Sequence, residues 1–428
     1  MKKLVFCAYD KPESIGGPVT WLMHLLPFLK KNGFDVTCLI MFHVSDTGPL
    51  YKHLKSSGIS CKTTPYLPST QDNIQWILSC LKDIKPDIFL PNLVVAGYYA
   101  ARWAQEAGMY TIGMSHSDDP FYHALQAEFL EGSKKFKLDG MVCVSDELEQ
   151  QLQPDSKDDG RIIKKIPYGV SIPDSKSHFD AEKLRVVYVG RLAEEQKRIT
   201  EVATAFCKMV SQLSNVEAIF YGDGPDRSNV EKILASHGNT VPVTMAGSVP
   251  VDKIQEALLQ AHVIVLLSDF EGLPIAILEA MACGVVPVCL HMNSGISEQI
   301  ENGVTGFIVN DRDTHFIETI KLLSKDKILW NQMSINAKNY ISNHFRIEKS
   351  HENWVRFLNQ IPQRQQTQII IPKHMELPPV HKELARADRR KPKEPYLIAQ
   401  LLKTFYVKAR IKLGAYKRIV LNPIKSQK

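Results

Sequence analysis

Residues 263–290 read VIVLLSDFEGLPIAILEAMACGVVPVCL, and the order of residue types in this run decides the fold class. VIVLLS (263–268) and VVPVCL (285–290) are short unbroken apolar runs, as strands buried on both faces of a parallel sheet are. Between them, Phe270 to Gly284 reads as a loop opening into a helix, with Pro274 suited to the first helical turn. A strand, a helix and a second strand in so short a span form the repeating unit of a doubly wound α/β sheet.

The same alternation extends in both directions. On the N-terminal side KLVFCAY (3–9), DVTCLIMF (35–42), DIFLPN (87–92), YTIGMSH (110–116) and GMVCVS (140–145) read as buried strands, separated by amphipathic stretches at 18–32, 71–84 and 95–107. The pattern pauses at the polar segment Ile172 to Asp180, which reads as a linker. It restarts with RVVYVG (185–190), VEAIFYG (216–222), VTMAG (243–247), the opening run, and TGFIV (305–309). The reading is therefore two Rossmann-like doubly wound domains, 1–171 and 185–343, joined by a linker at 172–184 and facing each other across a cleft. HENWVRFLNQ (351–360) reads as a helix, within 344–361. Residues 362–428 form an extension.

Sheets of this type bind ligands at the carboxyl ends of their strands, so the loops there carry the functional reading. After the first strand come Gly16 and Gly17 before a helix, a backbone able to approach an anion at a helix N-terminus; a plain tight turn is the alternative. The strand ending at Gly190 runs into Arg191, and Lys197 follows before a helix. Two cations there could clamp a diphosphate, or could belong to a solvated charged turn, since Glu194 and Glu195 lie between them. YGDGP (221–225) places Gly222 at another strand end. Glu271 falls in the loop of the opening run. Glu279 lies inside an otherwise apolar helix, where a carboxylate is costly unless a polar partner faces it. A ribose diol is such a partner, a carboxylate that merely faces solvent is the alternative, and Glu271, beside free helix-terminal amides, could grip hexose hydroxyls. Asp311-Arg312-Asp313 has the spelling of a metal motif, but it precedes a helix and reads as a cap.

Composition removes several classes. The chain has 428 residues, 44% of them hydrophobic, which suits two α/β domains plus an appendage. Its eight cysteines are scattered, without a Cys-x-x-Cys pair, so free thiols of a reducing cytosol are expected. Met1-Lys2-Lys3 followed by LVFCA resembles a leader, but Tyr9-Asp10-Lys11 ends the apolar run too early, and no 18-residue apolar run is present. The net charge of +6 is uneven: residues 373–428 hold 15 Lys/Arg against four Asp/Glu, a net of +11, leaving −5 for the rest. Pro362 to Pro395 is polar and proline-rich and reads as a loose linker. In 396–421, apolar Leu397, Ile398, Leu401, Leu402 and Phe405 recur at helical spacing among lysines and arginines. A basic amphipathic helix on an anionic membrane, or a helix docked on the body, fits that pattern. No nucleic-acid motif is present.

Taken in order, the Arg191/Lys197 pair, the GDGP turn and the Glu271-x7-Glu279 repeat resemble the retaining glycosyltransferases of the GT-B fold, family four. The resemblance covers about 1–360 and is most specific from Arg185 to Val309. It implies that Arg191 and Lys197 stabilise a leaving diphosphate. It also implies that Glu271 contacts the donor sugar and Glu279 the ribose. Backbone amides at Gly272 and Leu273 would reach phosphate and sugar, with Gly16, Gly17 and Gly222 also lining the donor site. His116, closing an N-domain strand, would lie near the reacting sugar. No divalent metal or other cofactor is implied, the 1–171 domain would be the acceptor side, and the helix within 344–361 would cross back to that domain. One departure is Tyr168-Gly169-Val170-Ser171, where the family often has Asn-Gly-Val-Asp. The expected function is transfer of a hexosyl-type sugar to a glycan or lipid-linked acceptor in surface polysaccharide or glycolipid synthesis, in the cytoplasm and at the inner membrane face. A nucleotide-sugar epimerase of the same fold and a non-catalytic partner subunit are the alternatives.

Overall fold

The computed structural model describes every residue except 12–15, 43–47, 154–159, 181, 238–241, 293 and 391–428. Two parallel sheets carry the chain. The first holds β1 (Lys3–Asp10), β2 (Asp35–Phe42), β3 (Ser60–Pro65), β4 (Ile88–Leu90), β5 (Tyr110–Ser115), β6 (Gly140–Cys143) and β7 (Ile162–Lys165) in the order β3-β2-β1-β4-β5-β6-β7. The second holds β8 (Leu184–Val189), β9 (Val216–Tyr221), β10 (Val243–Gly247), β11 (Val263–Leu266), β12 (Val286–Leu290) and β13 (Phe307–Val309) in the order β10-β9-β8-β11-β12-β13. The opening stretch of sequence is the centre of the second sheet: Val263 pairs with Val186 on one side and Val286 on the other. Strand order reverses between β1 and β4 in one sheet and between β8 and β11 in the other. At each reversal adjacent loops splay apart and leave a crevice. The architecture is that of the GT-B fold.

Interior strands match the apolar runs because both faces are covered by helices. Two strands, β3 and β7, fall outside that reading. Both sit at or near a sheet edge, and SCKTTP (60–65) and IIKK (162–165) keep much of their length half-buried or exposed, so neither needs an unbroken apolar run.

The helix Ile347–Gln360 lies against the first domain. Its Trp354 ring sits 5.5 Å from Trp21, and Lys2 Nζ donates to its terminal carbonyls at Leu358 (2.8 Å) and Asn359 (3.1 Å). The interdomain turn is tied to the start of this helix by Val170 N–H to Phe345 O (2.9 Å) and Ile347 N–H to Val170 O (3.0 Å). Gly169 is needed there, because a Cβ would lie 2.6 Å from the Arg346 carbonyl.

The loose linker expected from Pro362 onward is corrected over residues 362–390. That segment is a strap packed on the first domain. Thr367 N–H donates to Ala107 O (3.0 Å), and Arg364 stacks 3.7 Å over the Tyr110 ring while pairing with Asp139 at 2.8 Å. Ile369, Val380 and Leu384 are buried. At its end, Asp388 is 1% exposed. It accepts two bonds from Arg390 (2.6 and 2.7 Å), one from Thr70 (3.0 Å) and one from the Tyr99 hydroxyl (2.8 Å). Composition misled here because the anchors are single residues at irregular spacing, with no helical or strand period to betray them. The proposed amphipathic helix at 396–421 lies outside the described residues. No helix among the described residues is long and apolar enough to cross a membrane.

Candidate donor site at the reversal of the second sheet

Two loops meet where β8 and β11 end. From β8 the chain passes Gly190 and Arg191, buries Leu192 and Ala193, and forms the short helix Glu194–Lys197. Arg198 follows in the left-handed region (φ 49°) and turns the chain into the helix Ile199–Gln212. Glu194 does not crowd the cations: its carboxylate caps the next helix through Thr200 N–H (3.0 Å) and the Thr200 hydroxyl (2.8 Å). From β11 the chain passes Asp269, Phe270 and Glu271 into the helix Ile275–Ala282, with Pro274 as its N-cap.

Glu271 is 6% exposed, and Lys197 Nζ forms an ion pair with its Oε1. Gln196 Nε2 donates to Oε2 at 3.3 Å. Arg191 is exposed. Its charge reaches the Tyr9 hydroxyl at the end of β1, whose pKa burial pushes up and Arg191 draws back.

The two domains touch at this point. Ser117 and Gly272 form an isolated bridge, and Asp118 N–H donates to Glu271 O at 3.2 Å. Gly272 must be glycine, since a Cβ would lie 2.0 Å from the His116 carbonyl. Leu273 is buried as a whole residue. Across the cleft Gly16 caps the helix Gly17–Lys31, and a Cβ on Gly17 would stand 3.3 Å from Ile275 Cδ1. The N-termini of two helices thus converge beside Glu271, and their free amides favour an anion.

Glu279 sits half-buried on the helix Ile275–Ala282, and no described residue hydrogen-bonds its carboxylate. Burial pushes its pKa up to about 7, as it does for any carboxylate held out of water without a donor to stabilise its charge.

Two of the expected residues are placed differently. Gly222 does not present open backbone: its N–H donates to Gly247 O (2.8 Å), and its missing side chain makes room for the Gly190 carbonyl, 1.9 Å from where a Cβ would be. Packing of β8 on β9 accounts for it. His116 is 5% exposed and does not open its ring to the cleft. Burial drives its pKa down to about 3, so the imidazole is neutral. Nε2–H donates to Asn92 Oδ1 (2.7 Å), an oxygen that can only accept, so Nδ1 accepts from the Tyr168 hydroxyl. The side chain is a strut between the ends of β4 and β5 and the interdomain turn, while its carbonyl meets Gly272. The departure at Tyr168 is thereby explained: its hydroxyl closes the histidine's second hydrogen bond.

Asp311 accepts from the N–H groups of Asp313 (2.9 Å) and His315 (3.0 Å) at the start of the helix Thr314–Lys325, and Asp313 pairs with Lys208 at 3.0 Å. Sequence reasoning missed Gln196 and Asn92, which carry no motif of their own.

Residues 173–340 match the model of the family described as glycosyl transferases group 1. Over 187 residues the chain is 30% identical to N-acetyl-alpha-D-glucosaminyl L-malate synthase of Bacillus anthracis, 43% of this chain and 45% of that protein. The chain thus spans less than half the length of that relative. Over 312 residues it is 25% identical to the putative teichuronic acid biosynthesis glycosyltransferase TuaC of Bacillus subtilis strain 168, covering 63% and 75% of the two chains. Among solved structures, Anabaena Alr3699/HepE in complex with UDP and glucose superposes with a TM-score of 0.68 at 17% identity, covering 84% of this chain and all of that one. The chain therefore has the two-domain fold of the GT-B glycosyltransferases, and its match to glycosyl transferases group 1 lies over the domain that holds Arg191, Lys197, Glu271 and Glu279.

Proposed function

We propose that this chain is a retaining glycosyltransferase that moves a hexosyl group from a nucleotide-sugar donor to a hydroxyl of a glycan or lipid-linked acceptor. The observation that carries the reading is the buried Lys197–Glu271 pair between two converging helix N-termini at the reversal of the second sheet. Cleavage of the anomeric C–O bond leaves negative charge on the diphosphate. Arg191, Lys197 and the helix amides stand where that charge would develop. Glu271 accepts from a hexose hydroxyl and Glu279 from the ribose. The acceptor oxygen forms the new bond to the anomeric carbon on the face the diphosphate leaves, and its proton passes to the departing phosphate oxygen. Retention by this route needs no nucleophilic carboxylate, and both Glu271 oxygens are held by Lys197 and Gln196. The names of the Bacillus relatives support sugar transfer, and the UDP and glucose bound by the Anabaena structure support a nucleotide-sugar donor. A panel of nucleotide sugars, with UDP-hexoses first, tests the reading by nucleotide diphosphate release. Product anomeric configuration follows by NMR. Two side-chain cations suffice in this scheme, so release persists with a chelator; a strict metal requirement would refute it.

Glu279 gives a pH signature. A ribose diol donates to the ionised carboxylate, so nucleotide binding favours the deprotonated form. With a free-protein pKa of about 7, Kd falls as pH rises, by about tenfold between pH 6 and pH 8, and levels off above. Glu279→Gln should weaken binding by about 1.5–3 kcal/mol and flatten the profile. Titration calorimetry across that range checks both, and an unchanged slope in the variant would remove Glu279 from the ribose.

For residues 396–421 we propose attachment to an anionic membrane on the cytoplasmic side. The charge there supports it, at about 1 kcal/mol per basic residue near such a surface. Full-length protein should co-sediment with anionic vesicles and be released by salt, whereas a chain ending at residue 390 should not. Equal recovery of both in the supernatant would sink the membrane assignment.

A further inference from the structure

Three consecutive residues of one donor loop are fastened to three consecutive residues of the other. Asp269 N–H donates to Gln196 O (3.0 Å), and Gln196 Nε2 donates to Phe270 O (2.9 Å) and to Glu271 Oε2 (3.3 Å). Lys197 pairs with Glu271 Oε1, and Arg198, in its left-handed conformation, pairs with Asp269 at 2.6 Å. Arg312, from beyond β13, grips Asp269 as well.

This clamp conflicts with the roles assigned to two of its members, on the reading proposed above. Lys197 cannot give its full charge to a diphosphate while it remains paired with Glu271. When it turns to the phosphate, the carboxylate keeps one side-chain donor among the described residues, the Gln196 amide. A buried carboxylate stripped of its donors is strongly destabilised, and its rotamer is no longer fixed. We propose that Gln196 is a positioning residue for sugar transfer: it holds Glu271 toward the donor hexose once Lys197 has been taken by the diphosphate. A neutral amide suits the task. It donates to the carboxylate without competing with the phosphate for Lys197, and its second bond, to Phe270 O, fixes the backbone that leads into Glu271.

The role separates the sugar from the rest of the donor, and that makes it testable. In the full-length protein, Gln196→Leu should lower kcat for UDP-hexose turnover about tenfold, the loss expected for one hydrogen bond to a charged group. It should weaken UDP-hexose binding about fivefold, the scale of an ordinary hydrogen bond, while the Kd for UDP alone stays within about twofold. A loss of general loop structure would weaken both ligands together, and that result overturns the proposal, as does wild-type turnover in the leucine variant. Gln196→Glu, of nearly the same size, serves if the leucine variant does not fold. At pH 8 the added carboxylate repels Glu271 and turnover should be at least as low as in the leucine variant. Towards pH 6 a proton shared by the carboxyl pair restores a donor, so activity relative to wild type should recover. A flat ratio across that range counts against Gln196. Absence of UDP release by the wild-type protein from every donor would instead overturn the glycosyltransferase reading, and this one with it.

Discussion

Lys197→Ala and Glu271→Ala each lower kcat about 10²–10³-fold, the scale of removing one preorganised electrostatic partner from a transition state. Lys197 is the cation placed against the diphosphate, and its Nζ is held within the buried loop pair rather than waving in solvent. Removing it takes away charge stabilisation where the C–O bond breaks, so kcat falls further than donor affinity. Removing Glu271 leaves the lysine but deletes the acceptor for the hexose hydroxyl. It also frees Lys197 from its present anchor, so UDP binding should hold or tighten as sugar transfer fails. Because the two side chains are in contact, the double variant should lose less than the product of the single losses. Melting temperatures measured alongside separate catalysis from folding. Near-normal turnover in both single variants would end the assignment.

The parts of this site that were legible in sequence are those where a residue type conflicts with its surroundings. Glu279 in an apolar helix is such a conflict, and the structure leaves it half-buried with no hydrogen-bond partner among the described residues. Strand ends were legible because β8 and β11 are apolar runs that stop abruptly at Arg191 and Asp269. Orientation was not. A histidine closing β5 can face the cleft or the interior, and His116 faces inward only because Asn92 and Tyr168, 24 and 52 residues away, supply its two partners. Gln196 was invisible for the same reason, since its meaning lies in a loop some 75 residues further on. The edge strands β3 and β7 escaped notice because a half-exposed strand has no need of continuous apolar residues, whereas β10 and β13, the edges of the second sheet, were legible. Gly222 and Gly272 were read as lining the donor site, yet at both the close neighbour is another stretch of this chain's own backbone.

The strap provides the second large effect. A chain ending at residue 390 should melt with the full-length protein, whereas one ending at residue 361 should melt about 5–10 °C lower. The shorter chain loses the burial of Ile369, Val380 and Leu384, each contributing about 1.5–3 kcal/mol. It uncovers the Tyr99 hydroxyl, which now bonds Asp388, and the Tyr110 ring, now covered by Arg364. Against this stands the entropy regained by about 30 residues no longer ordered, which offsets much of the gross loss. A net loss of about 2–3 kcal/mol then converts to the stated shift, at about 2–4 °C per kcal/mol for a domain of this size. Asp388→Ala isolates the final latch. Arg390 would lose both of its bidentate bonds while still resting against Tyr99, and an unpaired, partly buried charge is the costly outcome of breaking such a pair. That variant should fall between the two truncations, and Arg390→Ala should match it if the pair acts as a unit. Because the strap lies wholly on the first domain, the loss should appear in its unfolding alone. Hydrogen exchange should quicken in the helices Thr70–Ile84 and Val95–Glu106 and stay unchanged around Glu271. Equal melting of the two truncated chains would mean that the packed segment adds nothing to the domain it covers.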